Sequence, residues 1–391
     1  MIDFLIRKFI KKYDDIDDPA VRGAYGKFAS LVGIATNILL SIIKITAGAL
    51  ASSLSIISDG LNNLSDAQSS IISLIGFRLA EIPSDADHPY GHARFEYLSA
   101  LLISLIIVLV GGFLMRSSIA AIIRPQPMNL TGLTFAILIV SILLKLWQSR
   151  FYMQIGLKIN SMPLKASSTD SRNDVISTAA VLAGALISRF TSCNVDGWLS
   201  ALVAVFIIVS GLKLAWETCS VLLGEAPSGE LVEKIRSLIT SYDGILGVHD
   251  LIVHNYGPGR IFASAHAEVD ADRNILESHD LIDNIEFSVH RKLGINITIH
   301  MDPICIHNPQ VQEIRGMLAA LKDRFPQIDN IHDLRIVTGP THSNVVFDAV
   351  LIHGTSKNIK SEIHKAAEEL VRTRYPSYFV RINFDQDYTG K

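Results

Sequence analysis

The sequence predicts an α-helical membrane domain of six transmembrane helices followed by cytoplasmic α+β domains. Three observations carry this. Apolar residues make up 49% of the 391-residue chain and charged residues 19%, with the apolar share concentrated before about residue 223. Lys and Arg gather at one set of helix ends. From Gly229 the texture changes to short amphipathic helices and alternating strands.

In chain order, residues 1–26 form an N-terminal arm. Its "MIDFLIRKFIKKYDDIDDP" is no signal peptide, because the apolar segment is short and interrupted by charge. It reads equally as an interfacial amphipathic arm or a polar tail. Residues 27–223 follow as the membrane domain, with spans at 28–50, 52–78, 98–115, 131–154, 170–191 and 198–221. The run "LSALLISLIIVLVGGFLM" carries no charge and makes the core of a span with its flanks. A soluble protein would need a very large body to hide six such runs. Arg7, Lys8, Lys11, Lys12, Arg22 and Lys27 in the arm, Arg94 before the third span and Lys158, Lys165 and Arg172 between the fourth and fifth place those ends in the cytoplasm. An even number of spans returns the C-terminus to the same side, so the chain reads as a multi-pass plasma- or inner-membrane protein. A net charge of −3 gives no sign of nucleic-acid binding. Cys193, Cys219 and Cys305 are widely spaced and form no Cys-x-x-Cys site.

Residues 229–305 read as α-β-β-α-β, and 306–391 repeat that order. His-Asp-Leu opens both copies, at 249–251 and 332–334, and Gly-Pro follows at 257–258 and 339–340, so the second segment is a duplicated domain. Its imidazoles are mostly replaced: His332, Asp348, Asp385 and Asp387 stand where the first copy has histidines and Asp302, which predicts contacts and little metal affinity of its own.

Three constellations carry chemistry. Asp59 and Asn63 in the second span, and Asp170 and Asp174 in the fifth, are i, i+4 pairs that would converge four oxygen donors on one point. Ionised groups inside a membrane are costly and mark functional partners, here a divalent cation; helix-helix polar contacts or a proton relay are the alternatives. Three carboxylates and an amide, with no nitrogen or sulfur, are a hard set that suits Mn²⁺ or Mg²⁺, although the affinity order still favours Zn²⁺ over Mn²⁺. In "SDADHPYGHARFE", Asp85, Asp87, His88 and His92 lie around a Pro-Tyr-Gly turn that could fold them together or leave them solvated, while Arg94 and Glu96 suit charge pairs at the membrane edge. His249, His266, His300 and Asp302 fall on strands, with 300 and 302 on one face, a workable divalent site or a set of solvated histidines.

Together these motifs resemble the cation diffusion facilitator family, and in the all-oxygen membrane set its manganese-exporting branch. The resemblance covers about 27–305. It implies a metallochaperone-like α+β fold for the cytoplasmic part, a homodimer, and antiport of a divalent cation, Mn²⁺ preferred, against protons across the lipid bilayer. It assigns Asp59, Asn63, Asp170 and Asp174 to the transport site and Asp85, His88 and His92 to a loop site. It assigns His249, His266, His279, His300 and Asp302 to a cytoplasmic site, where Zn²⁺ is the alternative ion. It also pairs a basic residue at the third span, matched by Arg94, with an acid after the sixth, where Gly224 stands and Glu225 is beside it. A Zn²⁺/Co²⁺/Cd²⁺ exporter of the same family is the alternative cargo reading, and a non-transporting metal-sensing scaffold the alternative class. Neither reading makes the protein an enzyme.

Overall fold

The computed structural model describes residues 2–10, 12–16, 18–50, 54–124, 132–191, 196–339 and 342–389. The side chains of 54–62 and of 65, Asp59, Asn62 and Ser65 among them, lie outside the described set, as do Cys193 and Pro340 of the second Gly-Pro. The chain divides into two units, Met1–Glu225 with Tyr256–Arg260, and Ala226–Asn255 with Ile261–Lys391.

The first unit is helical: α1 (Ile2–Phe9), α2 (Pro19–Leu50), α3 (Leu54–Ala80), α4 (Phe95–Ile123), α5 (Gly132–Lys158), α6 (Met162–Thr191) and α7 (Asp196–Leu223). The six long helices fall where the apolar runs are, but they are not six equal spans. Among the described residues four stretches are long and apolar enough to cross a membrane: Ala20–Thr46, Phe95–Ile123, Phe135–Lys158 and Gly197–Leu223. Helices α3 and α6 are the exceptions, and they are the two that carry the polar constellations. Glycine sets the closeness of α4 and α7. A Cβ added to Gly111 would come 2.7 Å from Ile208 Cγ1, and one on Gly211 2.7 Å from Val108 Cγ2, so each glycine admits its neighbour's side chain. The outward faces of these helices expose Leu102, Leu109, Phe113, Leu202 and Val209, as a lipid-facing surface requires. At the other end Tyr25, Phe77, Phe151, Tyr152 and Ile155 form an apolar core. Beside it Arg22 makes a two-pronged ion pair with Glu96, its Nη2 at 2.8 Å from Oε2, and donates Nε to Ile159 O at 3.0 Å.

The second unit contains two α+β copies. The first is α8 (Gly229–Thr240), β1 (Ile245–Asn255), β2 (Ile261–Asp270), α9 (Ile275–Leu293) and β3 (Ile295–Ile304). The second is α10 (Pro309–Arg324), β4 (Ile328–Thr338), β5 (Ser343–Leu351), α11 (Lys357–Arg374) and β6 (Tyr378–Gln386). Each sheet has its three strands in sequence order, the first pair antiparallel and the second parallel. Polar caps start the helices: the side chains of Ser228, Asn274, Asn308 and Ser356 each accept a backbone N–H of the first turn. Gly294 at φ +68° ends α9 in the left-handed conformation a helix stop requires. One face of each sheet packs on its helices, through Ile235, Ile285, Val289 and Ile297 in the first copy and Leu318, Phe347, Ile363 and Val371 in the second.

Both copies carry the same irregularity. Asp250 and Asp333, each following the histidine of His-Asp-Leu, adopt φ +50°, and strand pairing shifts register just there. This is a β-bulge with a left-handed residue, a conformation Asp tolerates better than most side chains. In a regular strand neighbouring residues face opposite ways; at the bulge His249 Nδ1 and Asp250 Oδ2 meet at 3.3 Å.

Candidate metal sites and family relationship

In the membrane unit the backbone of α3 keeps positions 59 and 63 one turn apart, and α6 does the same for Asp170 and Asp174. Asn63 is buried; its Oδ1 accepts from Lys44 Nζ at 3.0 Å, and its Nδ2 has no hydrogen-bond partner among the described residues. Asp170 Oδ2 accepts from Ser69 Oγ of α3 at 2.8 Å. Asp174 Oδ2 accepts from Lys145 Nζ of α5 at 2.7 Å, and the same ammonium lies 2.8 Å from Asp66 Oδ2. The structure therefore brings α3, α5 and α6 together around Asp66, Asp170 and Asp174.

Sequence reasoning missed three members of this set. Asp66 reads as lying beyond the site, yet it shares Lys145 with Asp174. Lys44 and Lys145 stand inside apolar runs. A lone lysine in "SIIKIT" or "LLKLWQ" was the available signal, since a buried ammonium needs an acidic or carbonyl partner. These contacts bear on any divalent cation alike, so the donor set as it is placed does not distinguish Mn²⁺ from Zn²⁺. The Mn²⁺ preference counted Asn63 and three carboxylates as free hard donors. Here Lys44 occupies the Asn63 carbonyl oxygen and Lys145 neutralises Asp174. Oxygen donors alone do not reverse the Zn²⁺-over-Mn²⁺ affinity order.

The loop between α3 and α4 does gather its candidates. Asp85, His88 and His92 each offer a ligand atom within 4.8 Å of the others. Asp85 Oδ1 accepts the backbone N–H of Asp87 at 3.1 Å and of His88 at 2.6 Å, which closes the turn. The N–H of His88, and then the two imidazoles, hold the Asp85 carboxyl below its usual range against a smaller desolvation effect. His92 Nδ1 bonds Pro83 O at 3.1 Å, leaving Nε2 toward Asp85. Asp87 contributes only its backbone. Glu96 pairs with Arg22, while the Arg94 guanidinium lies over the Tyr256 ring, 4.4 Å from its centroid.

In the second unit, the faces of the sheets not covered by helices carry the ligand residues. His266 stands opposite His249 on one side and His300 on the other. Asp302 sits among them: its Oδ2 is 2.9 Å from His266 Nδ1 and 3.2 Å from His249 Nε2, and its Oδ1 is 3.3 Å from His300 Nε2. Burial alone would lower the His249 value, but Asp250 and Asp302 outweigh it and push it up to about 9. Burial alone would raise Asp302, and the hydrogen bonds of His249 and His266 reverse that and hold it below the usual carboxylate range. Such a set can exchange its protons for a divalent cation. His279 does not join it. It lies on α9, exposed, 3.3 Å from Asp283. The structure adds residues from the second copy: His332 Nε2 approaches Asp250 Oδ2 at 3.4 Å, and the His249 and His332 rings lie 3.9 Å apart. His249, chiefly, and His332 hold the Asp250 carboxyl far below its ordinary value. Asp270, Asp272 and His307 form a further, more exposed group.

Helices around half-buried carboxylates, joined to a histidine-bearing α+β unit, have counterparts in known proteins. The cation efflux transmembrane domain matches residues 30–223, and the cytoplasmic domain of cation efflux proteins matches 227–304. An uncharacterized transporter of Methanocaldococcus jannaschii is 34% identical over 263 residues, 67% of this chain and 91% of the relative. The chain belongs to the cation efflux family. The cation-efflux pumps FieF of Salmonella paratyphi A and Klebsiella pneumoniae are each 28% identical, over 72% of this chain and 95% and 94% of their own lengths. Members of the cation efflux family are secondary transporters and not enzymes, and this chain is a membrane-embedded divalent-cation transporter of that family. Both domain matches end by residue 304, so α10 to β6 lie beyond them.

Proposed function

We propose that this cation efflux protein exports divalent metal cations from the cytoplasm in exchange for protons, with Zn²⁺, Co²⁺ and Cd²⁺ ahead of Mn²⁺. The observation that carries the reading is the convergence of Asp66, Asp170 and Asp174 between helices whose other faces are apolar. Charged groups persist in such surroundings where they handle an ion. Asp59, Asn63, Asp170 and Asp174 are the cargo ligands in this proposal, with Asp66 and Lys145 as the counter-charge that responds when the ion enters. The order of ions follows from donor affinity, which places Zn²⁺ and Co²⁺ above Mn²⁺ at nitrogen and oxygen sites. The names of the FieF relatives, cation-efflux pumps, agree with divalent-cation export. Imidazoles in the second unit suit the same ions better than Mn²⁺.

All six long helices cross the membrane in this reading. Helices α3 and α6 are tolerated because their polar faces meet each other and α5, away from lipid. The basic N-terminal arm then fixes both termini in the cytoplasm of a plasma or inner membrane, and the protein works as a homodimer. Asp85, His88 and His92 bind a second ion at the membrane surface; His249, His266, His300 and Asp302 bind cytoplasmic metal, with His279 supplied from elsewhere in the assembly. Arg94 and Glu225 remain a proposed pair at the base of the bundle. Protonation of the grouped carboxylates releases the cargo outside, since they repel one another once the ion leaves.

The test is uptake into proteoliposomes under an imposed pH gradient, comparing Zn²⁺, Co²⁺, Cd²⁺, Mn²⁺ and Mg²⁺. Gradient-driven Zn²⁺ flux exceeding Mn²⁺ flux is expected. Metal binding without flux would leave a sensing scaffold instead, and Mn²⁺ flux exceeding Zn²⁺ flux would restore the manganese reading.

A further inference from the structure

We propose that the two α+β copies hold one divalent metal ion between them, bound by Asp250 of the first copy and His332, Asp348 and Asp385 of the second. These four share no ligand with the His249, His266 and Asp302 group, and the proposal is independent of which ion crosses the membrane.

One ligand atom from each of the four lies within 4.8 Å of the others. His332 points to a missing partner. Its side chain is 3% exposed, and neither ring nitrogen makes a hydrogen bond among the described residues. Burying an imidazole whose nearest polar partner is a single carboxylate oxygen at 3.4 Å is costly, and native structures rarely accept it without a compensating ligand. The surrounding groups are acceptors: three carboxylates, each half-buried. Like charges brought this close repel, and a cation at their centre removes the repulsion.

The strands hold these groups in place. Asp348 lies opposite His332 across β4 and β5, and Asp385 lies two residues beyond Asn383, which faces Asp348 across β5 and β6. Asn383 Nδ2 donates to Asp348 Oδ1 at 2.7 Å, fixing the carboxylate in the way that outer groups orient metal ligands. From the other copy, the left-handed bulge turns Asp250 toward His332. A cleft of about 290 Å³ reaches Asp250 of the four, and Asn330 and Thr389 line it beside Asp250.

One nitrogen and three carboxylates complete a tetrahedral set without thiolate, which suits Zn²⁺ and excludes soft Cu⁺. The ion would tie the second copy to the first. Residues 306–391 alone lack Asp250, so the complete ligand set needs both copies.

The experiment measures Zn²⁺ per 391-residue chain in detergent by equilibrium dialysis and elemental analysis. The Asp348→Asn/Asp385→Asn variant is expected to bind one Zn²⁺ fewer than wild type, and the loss should add to that of His266→Ala/His300→Ala. Unchanged stoichiometry in the Asp348/Asp385 variant, or a loss that does not add, overturns the proposal. Should that variant fail to fold, anomalous scattering from Zn²⁺-soaked crystals of the wild-type chain decides. A peak among Asp250, His332, Asp348 and Asp385 is expected; no peak there while other sites are occupied overturns it.

Discussion

Replacing Lys145 by methionine removes the ammonium that joins Asp66 to Asp174, while keeping most of the apolar stem. The lysine side chain is 5% exposed, with carboxylate oxygens at 2.8 and 2.7 Å. Removing one partner of a buried ion pair costs about 3–5 kcal/mol, so the metal-free variant is expected to lose stability of that order. The sign reverses once cargo is present. Two unit charges 4 Å apart at an effective dielectric of 20 interact by about 4 kcal/mol, so a doubly charged ion on Asp174 beside the ammonium meets roughly twice that in repulsion. If Asp174 holds the cargo as proposed, Lys145 is expected to move away from it when the ion binds. Without it, Zn²⁺ should bind at least about tenfold tighter, a change of about 1.4 kcal/mol, and leave more slowly. Stability then becomes metal-dependent: Zn²⁺ at 100 times its Kd restores about 2.7 kcal/mol. The assays are Zn²⁺ titration and thermal unfolding of the detergent-solubilised variant, with proteoliposome flux to show slowed turnover. Wild-type Zn²⁺ affinity together with unchanged metal-free stability would refute the idea that Lys145 and the cargo compete for Asp174.

Asp174→Ala should reduce transport to the level of empty liposomes while size-exclusion and thermal unfolding profiles remain those of a folded protein. Asp170→His exchanges an oxygen donor for a nitrogen and should raise the Zn²⁺/Mn²⁺ flux ratio in proteoliposomes. In the second copy, Tyr375 Oη at 2.6 Å and Arg374 Nε at 2.9 Å bond the Glu313 carboxylate, and Tyr375 first and then Arg374 hold it below its ordinary value. A depressed carboxylate contributes stability that is present at neutral pH and lost as the pH falls through the carboxylate range, so Glu313→Gln should flatten the acid limb of an unfolding curve followed by circular dichroism.

How much was legible follows from how local each signal is. Apolar runs located α2, α4, α5 and α7, each long and apolar enough to span, because a span advertises itself over about 20 consecutive residues; α3 and α6 were located as helices of more polar runs. Period-two alternation and turn residues located the strands for the same reason. What failed was non-local. The i, i+4 spacing puts Asp170 and Asp174 on one face of a helix, but does not show that Lys145, from another helix, reaches Asp174. Counting residues between strands made the equivalent of His300 a carboxylate. The register shows Asn383 opposite Asp348 as His300 is opposite His266, which makes Asp385 the counterpart of Asp302. Nor can spacing place His332 against Asp250, because that contact depends on how two separately folded sheets meet.

The duplicated signature has a physical reason beyond ancestry. A left-handed Asp costs backbone energy, and both copies retain it at the same place. What the bulge supplies is the ability to bring two adjacent side chains to one side of a strand. In the first copy this places His249 beside Asp302 and Asp250 beside His332. In the second, Asp333 is instead 3.2 Å from Arg335, and the acids collected around His332 come from β5, β6 and the first copy. The backbone device is shared, but the groups around it differ, imidazole-rich in the first copy and carboxylate-rich in the second. A second copy that kept the costly bulge while changing His266 and His300 to Asp348 and Asn383 is better matched to completing a site with its neighbour than to repeating the neighbour's own.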